Sequence, residues 1–292
     1  MSLELLFQAN DPAVAAILHR LVNTLERDYP KRVVAYYLRG SYADGSAIDL
    51  SDVDLVVVVE DLNDTFAVSR SIGFASPSWP VVETVTLAIS QLNDPSLADL
   101  LVTLKWGSEL LYGRDVRDSI LPQWPDYARA VIRACRSGIA MLRDSTSVPQ
   151  PLTYPDPDGE FFGYEATRSD GRKAARKLKW YRVGTTEGTK ELASVAARAA
   201  TGLIAAQSRQ FVSKRSQVIT AYGQYIADEW TDFIRDLNVS CRQTWGYRVP
   251  DRPADRKHLR ELCLRMLDFE RPAWSGFPAG SWCQHWPVPD AT

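Results

Sequence analysis

Apolar residues in the first hundred or so positions follow both helical and strand periods. After Asp11-Pro12, a typical helix start, apolar side chains recur three or four residues apart and predict an amphipathic helix. Further along, β-rich runs bounded by glycine, proline or aspartate predict strands. These strands are expected at 33–38, 53–59, 81–89 and 109–112. Because helices alternate with the strands of a small mixed sheet, we predict an α/β (α+β) fold for this part of the chain.

The strand pattern stops after Gly113, and the rest of the chain has helical periodicity. The expected helices are Trp124–Leu142, Ser169–Tyr181, Lys190–Ala206, Val212–Leu237 and Ala254–Phe269. An acidic, proline-rich loop at 145–165 follows the first of them. We therefore predict a sheet-containing domain at 1–118 and an all-helical domain at 119–270. A tail rich in proline and tryptophan follows at 271–292.

Composition and charge exclude several broad classes of protein. The 292 residues carry a net charge of −2, so a nucleic-acid partner is not expected. The first residues have no basic region typical of a secretory signal, and no apolar run reaches the roughly 18 residues of a membrane span. The four cysteines are far apart and form no CxxC pair, which favours reduced thiols and a cytoplasmic location.

Two aspartates stand at the start of the most apolar predicted strand. Residues i and i+2 of a strand share a face, so Asp52 and Asp54 are expected side by side, where their charges repel. Two Mg²⁺ ions, which prefer hard oxygen ligands, would remove this repulsion and assist phosphoryl chemistry. Upstream, Gly40 allows a close backbone approach to phosphates, and Ser41 offers a hydroxyl and an N–H to them. The alternative is that the two aspartates only form a polar start to the strand and cap neighbouring turns.

The stretch "LRGSYADGSAIDLSDVDLVV" resembles the nucleotidyltransferase superfamily typified by DNA polymerase beta. The resemblance implies that Asp52 and Asp54 are metal ligands and that a third carboxylate stands on a neighbouring strand. Glu83, in "VVETVTLAI", is the candidate for that third metal ligand. In the aminoglycoside nucleotidyltransferase branch, a glutamate in this position is the general base that deprotonates the acceptor hydroxyl. The alternative for Glu83 is an edge-strand acid that faces solvent.

Two further segments resemble the same branch. "KWGSELLYGRDV" is similar to the segment that closes its catalytic domain, and "TTEGTKELASVAARA" is similar to a stretch in which a lysine begins a helix. That lysine reaches the triphosphate in the family, and here it would be Lys190. A cation and free N–H groups at a helix start suit an anion. The alternative is an ordinary surface lysine.

The resemblance implies a Mg²⁺-dependent enzyme with ATP or another nucleoside triphosphate as co-substrate. It would move AMP from ATP onto a hydroxyl of a small molecule such as an aminoglycoside, releasing pyrophosphate. The acids and aromatic rings of the 145–165 loop suit a cationic sugar, and the basic helix expected at 169–182 is either a solvated face or a triphosphate contact. The alternatives are a protein-adenylylating enzyme of the antitoxin type and a non-catalytic nucleotide-binding module.

Overall fold

The computed structural model describes residues 3–76, 81–142, 165–167, 173–175 and 189–275. The chain divides into two compact units, one of residues 1–127 with 211–218 and the other of residues 128–210 with 219–292. The predicted domain limits, with a boundary after residue 118, stay a prediction. In the part of the chain that is described, no helix has the length and apolar character needed to cross a membrane.

A four-stranded mixed sheet forms the centre of the first unit, as predicted. Its strands are β1 (Val33–Arg39), β2 (Val53–Val59), β3 (Val82–Ala88) and β4 (Glu109–Gly113). They are ordered β3-β2-β1-β4, with β1 antiparallel to both β2 and β4, and with β2 parallel to β3. All but Asp54 among the residues of β2 are buried, as expected for an apolar strand in the middle of a sheet.

Helices cover both faces of this sheet. They are α1 (Pro12–Asp28), α2 (Asp64–Ala75) and α3 (Ala98–Gly107). The apolar stripe of α1 packs with Leu55 and Val57 on one face, and α3 packs with Val56 and Val58 on the other. The sequence pattern did not predict α2, the crossover between the parallel strands, because it buries only Val68 and Ile72.

The remainder of the described chain is mostly helical. Its helices are α4 (Trp124–Leu142), α5 (Lys190–Ser208), α6 (Val218–Tyr225), α7 (Thr231–Asn238) and α8 (Pro253–Ser275). A π-helical turn, Val239–Thr244, continues α7. A two-stranded antiparallel ribbon pairs β5 (Glu165–Thr167) with β6 (Lys173–Ala175). The predicted fold class is therefore confirmed, with this ribbon as an exception to an all-helical second half.

Two predicted helices are wrong in detail. The helix expected at Ser169–Tyr181 contains a strand at 173–175, and its predicted spacing came from basic residues rather than from an apolar stripe that could be buried. The helix expected at Val212–Leu237 is broken. An extended segment and a 3₁₀ turn precede α6, and Ala227, with φ +52°, follows it. The Asp228 carboxylate then accepts a hydrogen bond from the backbone N–H of Trp230, which starts a new turn.

Candidate active site

The three predicted carboxylates lie at one end of β2 and β3. Asp52 directly precedes β2, Asp54 is the second residue of β2, and Glu83 is the second residue of β3. Asp54 and Glu83 are register partners across the parallel strands. Partners of this kind project to the same face from strands about 4.8 Å apart. Glu83 is exposed, whereas Asp52 and Asp54 are half-buried.

An arginine that the sequence pattern did not single out pairs with Asp54. Arg39, the last residue of β1, is the antiparallel register partner of Asp54, and its Nη2 lies 3.2 Å from Asp54 Oδ1. The Arg39 and Asp54 side chains are 26% and 19% exposed, so solvent screens this pair only in part. In the described structure, Arg39 Nε is also buried and has no hydrogen-bond partner. Arg39 therefore supplies a positive charge on one side of the Asp54 carboxylate.

Gly40 approaches the other side of the same carboxylate. It adopts φ +70°, and a Cβ added to it would lie 2.2 Å from Asp54 Oδ2. A close backbone approach was predicted here, but the group approached in the structure is Asp54. Ser41 follows within a 3₁₀ turn, Gly40–Tyr42, and is half-buried. The Gly40 carbonyl accepts hydrogen bonds from the backbone N–H groups of Ala43 and Asp44, at 3.1 and 3.2 Å, which close the turn.

Three aspartates lie near the last residue of this turn. Burial raises the pKa of Tyr42, and the charges of Asp11, Asp49 and Asp52 raise it further. Because burial is the larger cause, the shift identifies acidic neighbours of Tyr42 and not the net charge of the whole site.

The carboxylate oxygens at this end of β2 and β3 are of the kind that suits a magnesium ion. Within the described ranges, no three His, Cys, Asp or Glu side chains already converge closely enough to form a metal site. Asp52, Asp54 and Glu83 nevertheless offer the hard carboxylate oxygens that Mg²⁺ prefers, with its remaining ligands usually taken from water and phosphate.

A family model matches this region of the chain. The model of the nucleotidyltransferase domain matches residues 18–75, from α1 through β1, the Gly40–Tyr42 turn and β2 to the end of α2. This part of the chain is a nucleotidyltransferase domain. The match includes Gly40, Ser41, Asp52 and Asp54, whereas Glu83 lies outside it. As a chain that carries this domain, the protein is a nucleotidyltransferase enzyme.

Two solved structures share more distant similarity with the chain. The spectinomycin adenyltransferase AAD(9) from Enterococcus faecialis, solved with ATP and spectinomycin, has 13% identity and a TM-score of 0.43, over 85% of this chain and 98% of that chain. A toxin–antitoxin structure with AMP-PNP has 19% identity and a TM-score of 0.24, over 42% of this chain and 90% of that chain. Neither likeness is close enough to indicate a substrate. No curated protein matches the chain.

The compact unit of the nucleotidyltransferase domain contains a segment from much later in the chain. Residues 211–218, which we call the strap, belong to this unit. The Tyr127 hydroxyl donates to the Val212 carbonyl at 3.1 Å and accepts from the Val212 N–H at 3.0 Å. The Phe211 ring packs on Tyr127 and Trp106, with centroids 5.1 and 5.2 Å away. A Cβ on Gly107 would lie 2.3 Å from the Ser213 carbonyl oxygen, so only glycine admits the strap there.

The strap brings basic residues to the Gly40–Tyr42 turn. Its 3₁₀ turn, Arg215–Gln217, contacts Gly40–Tyr42, and the Ser216 hydroxyl donates to Asp44 Oδ2 at 2.6 Å. The backbone of Lys214 and Arg215 therefore lies near the Gly40–Tyr42 turn. The sequence did not predict them as site residues because the local apolar spacing placed them inside a long helix.

The other predicted contacts to substrate lie outside this unit or outside the described residues. Lys190 is the first residue of α5 in the second unit, so the helix start was predicted correctly. Its contact with a triphosphate stays a prediction. Most of the acidic loop at 145–165 and of the basic stretch at 169–182 lies outside the described residues.

Proposed function

We propose that this nucleotidyltransferase moves AMP from ATP onto a hydroxyl group of a small molecule and releases pyrophosphate. The observation that carries the proposal is the register pairing of Asp54 with Glu83, with Asp52 just before the start of β2. This acidic corner lies beside the Gly40–Tyr42 turn of a domain that matches the nucleotidyltransferase model. This arrangement supports a site in which metal ligands and a proton acceptor would lie next to a phosphate-binding turn.

Asp52 and Asp54 would hold magnesium, with Glu83 as a third ligand. Bound magnesium, as one ion or two, supplies positive charge that offsets the charge developing on the transferred phosphoryl group and on the leaving pyrophosphate. Arg39 pairs with Asp54 Oδ1, and Gly40 leaves room for Oδ2, so the protein would position this ligand before any cation arrives.

Glu83 is the proposed general base. It is the exposed member of the acidic group, so an acceptor hydroxyl can reach it from solvent. As the hydroxyl oxygen attacks the α-phosphorus of ATP, its proton passes to the Glu83 carboxylate. The bond between that phosphorus and the bridging oxygen breaks, and pyrophosphate leaves with the bonding electrons. A base within hydrogen-bond reach contributes about 10²–10⁴-fold to such a step.

The triphosphate would bind along the Gly40–Tyr42 turn. Ser41 offers its hydroxyl and backbone N–H, and the strap offers Lys214 and Arg215. A triphosphate carries several negative charges, so cations must balance the acidic carboxylates of the site. Lys190 of α5 is a second proposed source of positive charge, carried over from the family resemblance.

A cationic sugar such as an aminoglycoside is the proposed acceptor class. Asp11, Asp49 and Asp52 lie near Tyr42, and ammonium groups of an acceptor would be attracted to their negative charges. We also propose a cytoplasmic location, where ATP is abundant and thiols stay reduced. The three described cysteines, Cys135, Cys241 and Cys263, are buried thiols, as expected for that location.

Transfer of label from α-³²P-ATP tests this function directly. The purified protein would be incubated with Mg²⁺ and with aminoglycosides, nucleotides, transfer RNA or co-purified proteins, and both labelled product and pyrophosphate would be measured. Asp52→Asn and Asp54→Asn should abolish turnover while leaving the fold intact. Asp61→Asn, an exposed acid beyond the other end of β2, is the matched control and should retain activity.

Three outcomes would contradict the proposal in different ways. Wild-type turnover in both aspartate variants would remove the metal assignment. Label on a protein instead of a small molecule would favour the adenylylating alternative. ATP binding by calorimetry without pyrophosphate release under any condition would favour a non-catalytic module.

A further inference from the structure

The two carboxylate oxygens of Asp44 accept hydrogen bonds from different parts of the chain. Oδ1 accepts hydrogen bonds from the backbone N–H of Ser46 at 3.0 Å and from its hydroxyl at 2.5 Å, within the same turn. Oδ2 accepts the hydroxyl of Ser216 at 2.6 Å, from a residue 172 positions later in the chain. Asp44 therefore joins the loop that follows Gly40-Ser41 to the strap.

The strap is held at two points on either side of its basic residues. At its start, Val212 is fixed by both hydrogen bonds to the buried Tyr127 hydroxyl. Near its end, Ser216 is fixed by Asp44. Lys214 and Arg215 lie between these points, so the two anchors determine where the cations stand along the Gly40–Tyr42 turn.

We propose that Asp44 and Ser216 form a latch that positions the strap cations for the triphosphate, which rests on the proposed function. Asp44 touches no reacting atom in that scheme and is a positioning residue. Ser216 is exposed, so its hydrogen bond contributes little to the stability of the fold. Loss of the latch should therefore weaken nucleotide binding much more than it lowers the free energy of unfolding.

Calorimetric titration of the full chain with ATP and Mg²⁺ tests the latch. Ser216→Ala should weaken ATP binding by about fivefold, the effect of losing one charge-assisted hydrogen bond at a solvated site. Ser216→Thr keeps the hydroxyl and should bind within about twofold of wild type, an energy difference well below that of one hydrogen bond. Thr65→Ala is the matched control, because it removes a hydroxyl that makes an exposed hydrogen bond of 2.7 Å to Leu62 O, beyond the other end of β2.

A double-mutant cycle separates the latch from other effects of Asp44. Asp44→Ala also releases Ser46, so its own loss of affinity should exceed that of Ser216→Ala. Adding Ser216→Ala to it should cost nothing further, because the shared interaction is already gone. Hydrogen exchange of peptides spanning 211–218 should quicken in Ser216→Ala and stay unchanged in Thr65→Ala.

The outcomes distinguish failure of the latch proposal from failure of the proposed function. Equal ATP affinity of wild type and Ser216→Ala, or additive losses in the cycle, would overturn the latch and leave the proposed function standing. A wild-type protein that binds no ATP with Mg²⁺ would overturn both.

Discussion

Replacing Gly40 with alanine tests how strongly the site depends on a close backbone approach to Asp54. Gly40 has φ +70°, where an L-residue is disfavoured by about 1–2 kcal/mol. The new methyl group would also lie 2.2 Å from Asp54 Oδ2. Because ordinary contact distances exceed about 3.3 Å, the carboxylate or the turn would have to move by roughly 1 Å.

A shift of that size should be costly for catalysis. Catalytic groups must be held to within about 0.5 Å, and a displacement near 1 Å can lower the rate by about a hundredfold. We therefore expect Gly40→Ala to lower kcat/KM by about two orders of magnitude. Its free energy of unfolding should fall by only about 1–2 kcal/mol, from the strained backbone. Pyrophosphate release and urea unfolding measure the two effects separately.

Two other glycines provide matched controls. Gly45 has φ +75° but open space where a Cβ would stand, so Gly45→Ala should show the same backbone strain without displacing Asp54. Gly113 has φ +96°, and its Cβ would lie 2.2 Å from the Val34 carbonyl oxygen. Gly113→Ala should therefore lose stability with little direct effect on the site. Equal losses of activity in Gly40→Ala and Gly45→Ala would refute the reasoning.

Substitutions at three charged residues of the first unit provide further tests. Glu83→Gln should lower kcat by about 10²–10⁴-fold, and near-normal kcat would argue against Glu83 as the base. Arg39→Gln should lower the free energy of unfolding by about 1–2 kcal/mol, because Asp54 loses its half-buried counter-charge, and Arg39→Lys should recover part of it in urea titrations. Hydrogen bonds from Arg117, opposed by partial burial, lower the pKa of Asp115 to about 2. The ionised form therefore stabilises the fold above pH 4, and this contribution is lost as pH falls towards 2. Asp115→Asn should cost about 1 kcal/mol at pH 7 after solvent screening, and a difference from wild type that does not narrow between pH 4 and pH 2 would contradict this account.

The strands of the sheet were predictable because their signals are local. The apolar run of β2 and the β-rich run of β3 identify both strands, and their limits in the structure agree with the sequence to within one residue. The register between them is not a local property. A slip of one residue would have turned Glu83 to the opposite face from Asp54, and no sequence pattern in either strand excludes it.

The strap could not be predicted for a related reason. Its conformation is fixed by Tyr127, which is 85 residues from Val212, and by the absence of a side chain on Gly107. Local apolar spacing favoured a helix at these positions. Hydrogen bonds to a distant hydroxyl replaced the helical ones, so tertiary contacts overrode the local preference.

Arg39 and Gly40 show that a sequence motif does not reveal all the contacts within its site. In the sequence they are two consecutive residues before a turn, and nothing indicates that both act on Asp54. In the structure Arg39 pairs with one oxygen of that carboxylate and Gly40 leaves room for the other, whereas Glu83 remains exposed to solvent. This asymmetry supports the proposed roles, because Asp54 gains as a metal ligand from being positioned in advance, whereas Glu83, as ligand and base, must also reach the hydroxyl that it deprotonates.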